Sequence, residues 1–261
     1  MQTHTIGCDP EVFLVDANDN FVSAIDRIGG TKEFPRPIDT EGCAVQEDNV
    51  AVEYNTPPVK TVEEFIHYNR KVLAYLAEHV AEQGLKLKIV PSAQFSKQEL
   101  DDPRALEFGC EPDFCAWKGG SMNPRPECSN KALRSAGGHI HFGGIGDMDP
   151  LLLIKAADLF IGVGMMQYDK DEDRRKLYGK PGAFRYKPYG VEYRTASNAW
   201  LTSDETIHYV WKQQERAVEF VKSGRAAELL VDDGELAQKI QDCLLNNDMA
   251  IFEELKGEFN L

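Results

Sequence analysis

Alternating apolar and polar residues predict several β-strands in the first third of the chain. Residues 6–15 form the first such pattern, and the turn-forming run 16–20 behind it predicts a hairpin with Phe21–Val22. Residues 49–55 alternate clearly and end at a pair of prolines. A shorter apolar pattern at 85–90 predicts a further strand.

Helical spacing first appears behind residue 61. Thr61, with Glu64 three positions later, fits a capping box, and apolar residues then recur at helical intervals as far as Gly84. A second helix is predicted from about residue 149 to 168. From Ser203 to the end the pattern is helical, with breaks near Gly224, Gly234 and Asn246-Asn247. Strands and helices together predict the α+β class, with an antiparallel or mixed sheet and helices on one side.

The middle of the chain is less regular. Residues 91–131 are rich in Pro, Gly and Asn, and so long an irregular segment is expected to line a site or to pack over the core. The sequence GGHIHFGG at 137–144 alternates and predicts a strand. Residues 177–190 are predicted to be a basic, aromatic and glycine-containing loop, which leads into a strand at 191–195.

Composition indicates a globular protein. The 261 residues are 42% hydrophobic and 28% charged, and the net charge of −14 argues against general nucleic-acid binding. No secretory signal is visible, and the most apolar segment, 151–166, is too short and too charged to span a bilayer. We therefore expect a cytoplasmic protein with a single domain over 1–261, in which 203–261 is a C-terminal helical part.

Three of the six cysteines, Cys110, Cys115 and Cys128, lie close together in sequence. Their spacing lacks a CxxC knuckle, and no histidine lies near them in a finger-like pattern. Ordinary reduced thiols are therefore favoured over a zinc site.

Four predicted strands each carry two polar residues at positions i and i+2, which face the same way on a strand. For any one pair a solvent-facing position is the simpler interpretation, but four together predict one sheet face rich in carboxylates and imidazoles. Like charges gathered there repel one another unless cations bind, and mostly oxygen ligands suit Mg²⁺ or Mn²⁺. The pairs are Asp9 and Glu11, Glu53 and Asn55, His139 and His141, and Glu192 and Arg194.

Basic residues could hold an anionic substrate at such a site. Carboxylate-held metals with Arg and Lys clamps are typical of phosphoryl transfer from a nucleoside triphosphate, although a P-loop and the kinase signatures are absent from the sequence. A solvated surface turn is the alternative for the basic loop. The candidate cations are Lys32, Arg134, Lys180, Arg185, Lys187 and Arg194.

Five motifs in fixed order resemble the phage-type carboxylate–amine ligases (COOH–NH2 ligase, type 2), which are grouped with glutamine synthetase and glutamate–cysteine ligase. The resemblance covers roughly residues 5–200. The motifs are GCDPEVFLVD, DNVAVEYNTPP, RSAGGHIHFGG, LYGKPGAFRYKPYG and GVEYRTASNAW.

The resemblance implies a glutamine synthetase-like catalytic fold, a curved antiparallel sheet with helices on its convex face and with ATP and two or three Mg²⁺ ions on its concave face. The activity implied is ATP-dependent amide formation through an acyl phosphate. Arg194, with Arg134 or Arg185, would hold the phosphoryl group and the carboxylate, and Lys180, Lys187, Arg185 and Lys32 would bind the nucleotide. The metal ligands implied are Asp9, Glu11, Glu53, one or both of His139 and His141, and Glu192.

The expected partners are a small-molecule or peptide carboxylate and an amine, with glutamate or another small amino acid favoured by analogy alone. No membrane partner is expected, and assembly into a homo-oligomer is left open. Two alternatives remain at this point. The H-x-H strand could belong to a cupin-like metal-dependent enzyme, or the chain could be a non-catalytic relative that binds nucleotide or a partner protein.

Overall fold

The computed structural model describes residues 4–106, 113–124 and 129–261. Its strands are short and spread over most of the chain, which agrees with the alternating pattern. In chain order they are β1 Thr5–Cys8, β2 Glu11–Val15, β3 Phe21–Val22, β4 Arg36–Pro37, β5 Ala44–Asp48, β6 Ala51–Asn55, β7 Lys86–Lys88, β8 Ser92–Gln94, β9 Phe114–Cys115, β10 Ser121–Met122, β11 Leu133–Ser135, β12 Ile140–Gly143, β13 Ala183–Lys187 and β14 Gly190–Tyr193.

The longer helices follow the predicted positions, and the C-terminal helical pattern with its breaks is confirmed. The α-helices are α1 Val62–Ala81, α2 Pro103–Leu106, α3 Pro150–Ala157, α4 Asp173–Leu177, α5 Asp204–Lys222, α6 Arg225–Leu229, α7 Glu235–Asn246 and α8 Met249–Phe259. A π-helical segment, Asp158–Val163, continues α3, and single 3₁₀ turns lie at Gln98–Leu100, Ala116–Lys118 and Asn198–Leu201. Among the described residues, no helix combines the length and the apolarity needed to cross a membrane.

Two antiparallel sheets meet at the sequence Asp9-Pro10. One sheet has the order β1-β12-β14-β13-β9-β10 and the other the order β3-β2-β6-β5-β4, with β7 also paired to β2. Pro10 has no N–H to donate, and the first predicted strand is divided there. The end of β6 and the residue after it keep the sheets joined, because the N–H groups of Tyr54 and Thr56 donate to the carbonyls of Pro10 and Cys8, each at 3.2 Å. The result is one curled antiparallel surface, and the α+β prediction is consistent with it.

Each main strand buries one face under helices. Val12, Leu14, Tyr54, Phe142 and Val191 are at most 1% exposed, and they share an apolar core with side chains of α1, α3 and α5. Because successive residues of a strand point to opposite faces, the residues between them project from the other side of the sheet. The polar pairs of the sequence therefore lie on the face of these strands that is turned away from α1, α3 and α5.

Local signals explain where α1 begins. The Thr61 hydroxyl accepts from the N–H of Glu64 at 3.3 Å, so the predicted N-cap is confirmed. The Glu64 carboxylate accepts from the Lys60 N–H at 3.3 Å and from the Thr61 hydroxyl at 3.0 Å. Within α1, the fully buried Asn69 accepts from the Tyr54 hydroxyl at 2.8 Å, which ties the helix to β6.

Two parts of the sequence behave differently from their prediction. Residues 183–187 form β13 rather than a loop, because Phe184 and Tyr186 pack with Phe114 while Arg185 projects from the opposite face, beside Glu192. The strand β5 also has no counterpart in the prediction, although it pairs along the whole of β6. The irregular segment after residue 91 does pack over the core, where Phe95 contacts Phe13.

Candidate functional site

The first cluster on the face turned away from α1, α3 and α5 is the imidazole–carboxylate group, Asp9, His141 and Glu192. The β-register places His141 directly opposite Glu192, and Asp9 follows β1 at the break between the two sheets. The Nε2 atom of His141 lies 2.9 Å from Oδ1 of Asp9. One ligand atom from each of the three residues lies within 4.8 Å of the others. These three residues therefore converge on one point.

His139, the other histidine of the H-x-H strand, faces the same group. Its Nδ1 lies 3.4 Å from Asp9 Oδ1, 3.6 Å from Glu192 Oε1 and 3.4 Å from Nη1 of Arg194. Burial and the neighbouring Arg194 lower the pKa of His139 to about 4, so the ring is neutral near pH 7. Both histidines point the same way, as the alternation predicted, with Ile140 and Phe142 in the core.

Cations and imidazoles hold the acids of this group ionised. Burial alone would raise the pKa of Asp9, but His141 and His139 hold it well below its usual range. Burial and the charge of Asp9 also oppose ionisation of Glu192, yet Arg194 and the two histidines lower its pKa to about 2. Arg194 Nη1 donates to Glu192 Oε1, and Lys187 Nζ lies 2.6 Å from Oε2. Arg185 Nη1 lies farther away, 3.9 Å from Oε1.

A second cluster, the tricarboxylate group, consists of Glu11, Asp48 and Glu53. Glu11 of β2 stands opposite Glu53 of β6, and Asp48 ends the neighbouring strand β5. A carboxylate oxygen of each lies within 4.8 Å of the others. The Glu11 carboxylate accepts the Gly137 N–H at 2.7 Å, and Glu53 accepts from Gln46 at 3.0 Å.

The carboxylates of this second group destabilise one another. Burial and the charge of Asp48 raise the pKa of Glu11 to about 7. Burial, and then the charges of Asp9, Asp48 and Glu11, raise the pKa of Glu53 well above its usual range. Burial also raises the pKa of Asp48, although Lys32 opposes that shift. Only Pro10 separates Asp9 from Glu11, and Glu11 lines the same cavity as His139 and Arg194, so the two groups are neighbours in one hollow.

Cavities open on both sides of the hollow. The arginine cavity, about 70 Å³, includes Glu11, His139, Arg134, Arg174 and Arg194 in its walls. The tyrosine cavity, about 380 Å³, has His141, Tyr189 and backbone near Gly143 in its walls. Three arginines and the carboxylates of Glu11 and Asp48 therefore line one cavity, and mostly neutral residues line the other.

Two predicted cations are placed differently from Arg194. Arg134 lines the arginine cavity, but its Nη atoms donate to the backbone carbonyls of Lys131, Leu133 and Ala105 at 2.8–2.9 Å. Lys180 contributes its carbonyl, which accepts from the Thr195 hydroxyl at 3.0 Å, and it lies outside the walls of both cavities.

The prediction from sequence did not assign roles to Asp48, Arg174 and Tyr189. Asp48 immediately precedes the strand of Glu53, but only the register shows that it joins Glu11. Arg174 comes from a polar run without periodicity, and it donates to the carbonyls of Thr195 and Arg194 at 2.6 and 3.1 Å. Of the three cysteines for which ordinary thiols were favoured over a zinc site, Cys115 is a buried free thiol, and Cys110 and Cys128 lie outside the described residues.

The donor atoms of both groups fit divalent cations. Oδ1 of Asp9, Nε2 of His141 and Oε2 of Glu192 are buried; Oδ1 and Nε2 lie 2.9 Å apart, and Nζ of Lys187 lies 2.6 Å from Oε2. The tricarboxylate group offers oxygen ligands alone, as hard cations such as Mg²⁺ prefer. The first group adds one imidazole nitrogen, which suits Mg²⁺ or Mn²⁺ better than a structural Zn²⁺. A bound cation would offset the repulsion that raises the carboxyl pKa values.

Two family models match successive parts of the chain, which overlap at residues 115–118. Residues 5–118 match glutamate-cysteine ligase family 2 (GCS2), and residues 115–221 match phage phiEco32-like COOH.NH2 ligase-type 2. The first match includes the whole tricarboxylate group, and the second includes the H-x-H strand and Glu192. No curated protein matches the chain. The predicted relationship to this ligase group is confirmed by the two matches.

Proposed function

Because both matches are to ligases, we propose that the chain is an ATP-dependent carboxylate–amine ligase with a glutamine synthetase-like fold. One observation carries the proposal. Two groups of potential cation ligands lie side by side in a hollow, and Arg194, Arg185 and Lys187 surround the carboxylate at its centre. Such a hollow is suited to a substrate with several phosphates.

The reaction must replace a poor leaving group on a carboxylate. A carboxylate oxygen of the donor attacks the γ-phosphorus of ATP, and the bond from that phosphorus to the β-phosphate oxygen breaks, which releases ADP. The acyl phosphate then accepts the lone pair of an amine at its carbonyl carbon. Inorganic phosphate leaves, the nitrogen loses a proton, and an amide remains. No covalent bond to the protein is required.

The two groups would hold Mg²⁺ or Mn²⁺ ions, Asp9, His141 and Glu192 at one position and Glu11, Asp48 and Glu53 at the other. Bound there, the cations would supply charge neutralisation for the phosphates of ATP. The sheet fixes the ligands in advance, because most of them lie on paired strands or at strand ends. Little reorganisation is then needed when substrate binds.

The basic side chains would bind the phosphate and carboxylate oxygens of the substrates. Arg194 is 7% exposed and lines the arginine cavity, so its guanidinium can hold an oxygen of the transferring phosphoryl group or of the carboxylate. Lys187 and Arg185 project from β13 on the same face and would bind phosphate oxygens of the nucleotide. Lys32, close enough to influence Asp48, would approach from the opposite edge. Arg134 is tied to backbone carbonyls and would hold the cavity wall in shape.

The test follows the oxygen atoms. The protein is incubated with ATP, Mg²⁺, an amine and carboxylates labelled with ¹⁸O, and the phosphate released is analysed by mass spectrometry. An acyl phosphate transfers one labelled oxygen from the carboxylate to inorganic phosphate. We expect this label to appear only in mixtures in which the amide product also forms. Release of unlabelled phosphate alone would contradict the acyl-phosphate step.

Matched variants connect the reaction to the two groups. Glu53→Gln and Glu192→Gln each remove one ionic ligand with little change in shape, and both should abolish ATP turnover while the fold is retained. Glu63→Gln, on the exposed side of α1, is the control and should react as the wild type does. Activity retained in both site variants would refute the assignment. Iron-dependent chemistry without ATP would favour the cupin-like alternative, and nucleotide binding without turnover the non-catalytic one.

A further inference from the structure

The hydroxyl of Tyr189 contacts the nitrogen of His141 that faces away from the carboxylates. Its Oη lies 2.6 Å from Nδ1, and the two rings stack with centroids 5.9 Å apart and planes 19° apart. Tyr189 is in the turn between β13 and β14. Its carbonyl accepts the Gly144 N–H at 2.9 Å, which fixes the turn beside β12.

Gly190 allows this close approach. Its φ is +154°, and a Cβ at this position would lie 2.0 Å from the carbonyl oxygen of Phe142. A larger residue would therefore push the β13–β14 turn away from β12. The position of the Tyr189 hydroxyl over His141 is thus determined by the backbone on both sides of it.

The two nitrogens of a neutral imidazole have opposite roles, and only one of them carries hydrogen. If Nε2 of His141 is protonated, it can donate to Asp9, and Nδ1 accepts from Tyr189. If Nδ1 is protonated, it donates to the Tyr189 oxygen, and the lone pair of Nε2 faces Asp9 and Glu192. A cation can bind only the second tautomer through Nε2.

We propose that Tyr189 is a positioning residue whose hydroxyl oxygen accepts a hydrogen bond from Nδ1–H of His141. This hydrogen bond leaves the lone pair of Nε2 directed toward a divalent cation shared with Asp9 and Glu192. This inference rests on the proposed function. A tyrosine hydroxyl is suited to the task because it can donate before the cation binds and accept afterwards. A phenol hydroxyl has one hydrogen to donate and lone pairs that accept, so the same group can serve in both states.

His139 is not equivalent to His141. Its Nδ1 faces Arg194 as well as the acids, and its Nε2 end lies against Gly137, where an added Cβ would be only 2.3 Å away. Nε2 of His141 can therefore bind a cation, whereas Nε2 of His139 faces the backbone. We expect His139 to orient Arg194 and Asp9 instead.

The test compares Tyr189→Phe with Tyr186→Phe. The control residue lies three positions earlier on the same hairpin, on the opposite face, where its ring contacts Phe114 and Phe184. Mn²⁺ affinity is measured by electron paramagnetic resonance. The protonation of each nitrogen of His141 is measured by ¹⁵N NMR with Mg²⁺, and the signals are assigned by their loss in His141→Gln.

We expect Nδ1 of His141 to carry the proton in the Mg²⁺-bound wild type. Tyr189→Phe should weaken Mn²⁺ binding about tenfold, within the range known for residues that orient a metal ligand, and Tyr186→Phe should leave it unchanged. Wild-type affinity in Tyr189→Phe, or a proton on Nε2 of His141 with Mg²⁺ bound, would overturn this inference and leave the proposed function standing. A wild-type protein that binds neither cation would overturn both.

Discussion

Glu11→Gln should make the cation-free protein more stable, although it removes a group that we assign to cation binding. The buried Glu11 carboxylate shares the hollow with Asp48 and Glu53, and its pKa is raised from an ordinary value of 4.5 to about 7. Glutamine has the same shape and no charge, and its amide oxygen can still accept from the Gly137 N–H. The substitution therefore removes the repulsion and keeps the hydrogen bond.

The raised pKa gives the sign and the size of the effect. The Glu11 carboxyl binds its proton more tightly in the folded protein than in the unfolded chain. Protonation of Glu11 therefore contributes its full stability below pH 4.5, and this contribution is lost as pH rises through about 7. At 1.36 kcal/mol per pH unit, the loss is about 3 kcal/mol at pH 8. Glu11→Gln should avoid that loss and raise the melting temperature by about 6 °C at pH 8. At pH 4.5 the two proteins should differ little.

The assay is thermal unfolding at pH 4.5 and pH 8, with a chelator and with Mg²⁺. Mg²⁺ should raise the melting temperature of the wild type at pH 8 and should affect Glu11→Gln much less. Glu47→Gln is the contrasting variant, because the Glu47 carboxylate accepts backbone N–H bonds from Asp26, Ile28 and Gly29 at 2.8–3.2 Å. Loss of those ionic acceptors should lower stability.

A Glu11→Gln protein less stable than the wild type at pH 8 without cations would refute the reasoning. It would mean that Glu11 is paired in the folded state rather than repelled. Equal pH dependence in the two proteins would refute it as well, because the proton in question would then belong to another residue.

Three further predictions concern particular side chains. Arg194→Lys should lower kcat by about 100-fold in steady-state kinetics, because a single ammonium cannot replace the forked guanidinium; an unchanged kcat would contradict the role of Arg194 at the phosphoryl group. Asp158→Ala should cost about 3 kcal/mol or more in chemical unfolding, because the fully buried Asp158 carboxylate accepts from Trp117, Gly182 and Tyr193 and alanine leaves these donors without an acceptor; wild-type stability would contradict it. Thr61→Ala should cost about 1 kcal/mol through the lost N-cap and leave ATP turnover intact, and reduced turnover would contradict a purely local effect.

Sequence reasoning predicted the parts of this fold that local patterns determine. The alternation around His139 and His141 gives the strand and its two faces, and Thr61 gives the start of α1. The sequence 183–187 alternates as well, but the nearby Gly and Pro residues obscured β13. Its strand character comes from pairing with β14, which lies farther along the chain.

The candidate site could be predicted as a set of residues but not as two groups. The division between them depends on the break at Pro10, which sends Asp9 to His141 in one sheet and Glu11 to Glu53 in the other. Asp48 joins the second group only through the pairing of β5 with β6. The order of the strands in the sheets determines which of these side chains are neighbours. Local sequence patterns do not reveal that order.

Counting bound Mn²⁺ ions tests the central claim most directly. The claim is that segments distant in sequence form two adjacent cation sites in one hollow. Electron paramagnetic resonance titration should give two Mn²⁺ ions per chain in the wild type and one in either Glu53→Gln or Glu192→Gln. No bound Mn²⁺ in the wild type, or two ions in both variants, would contradict the account.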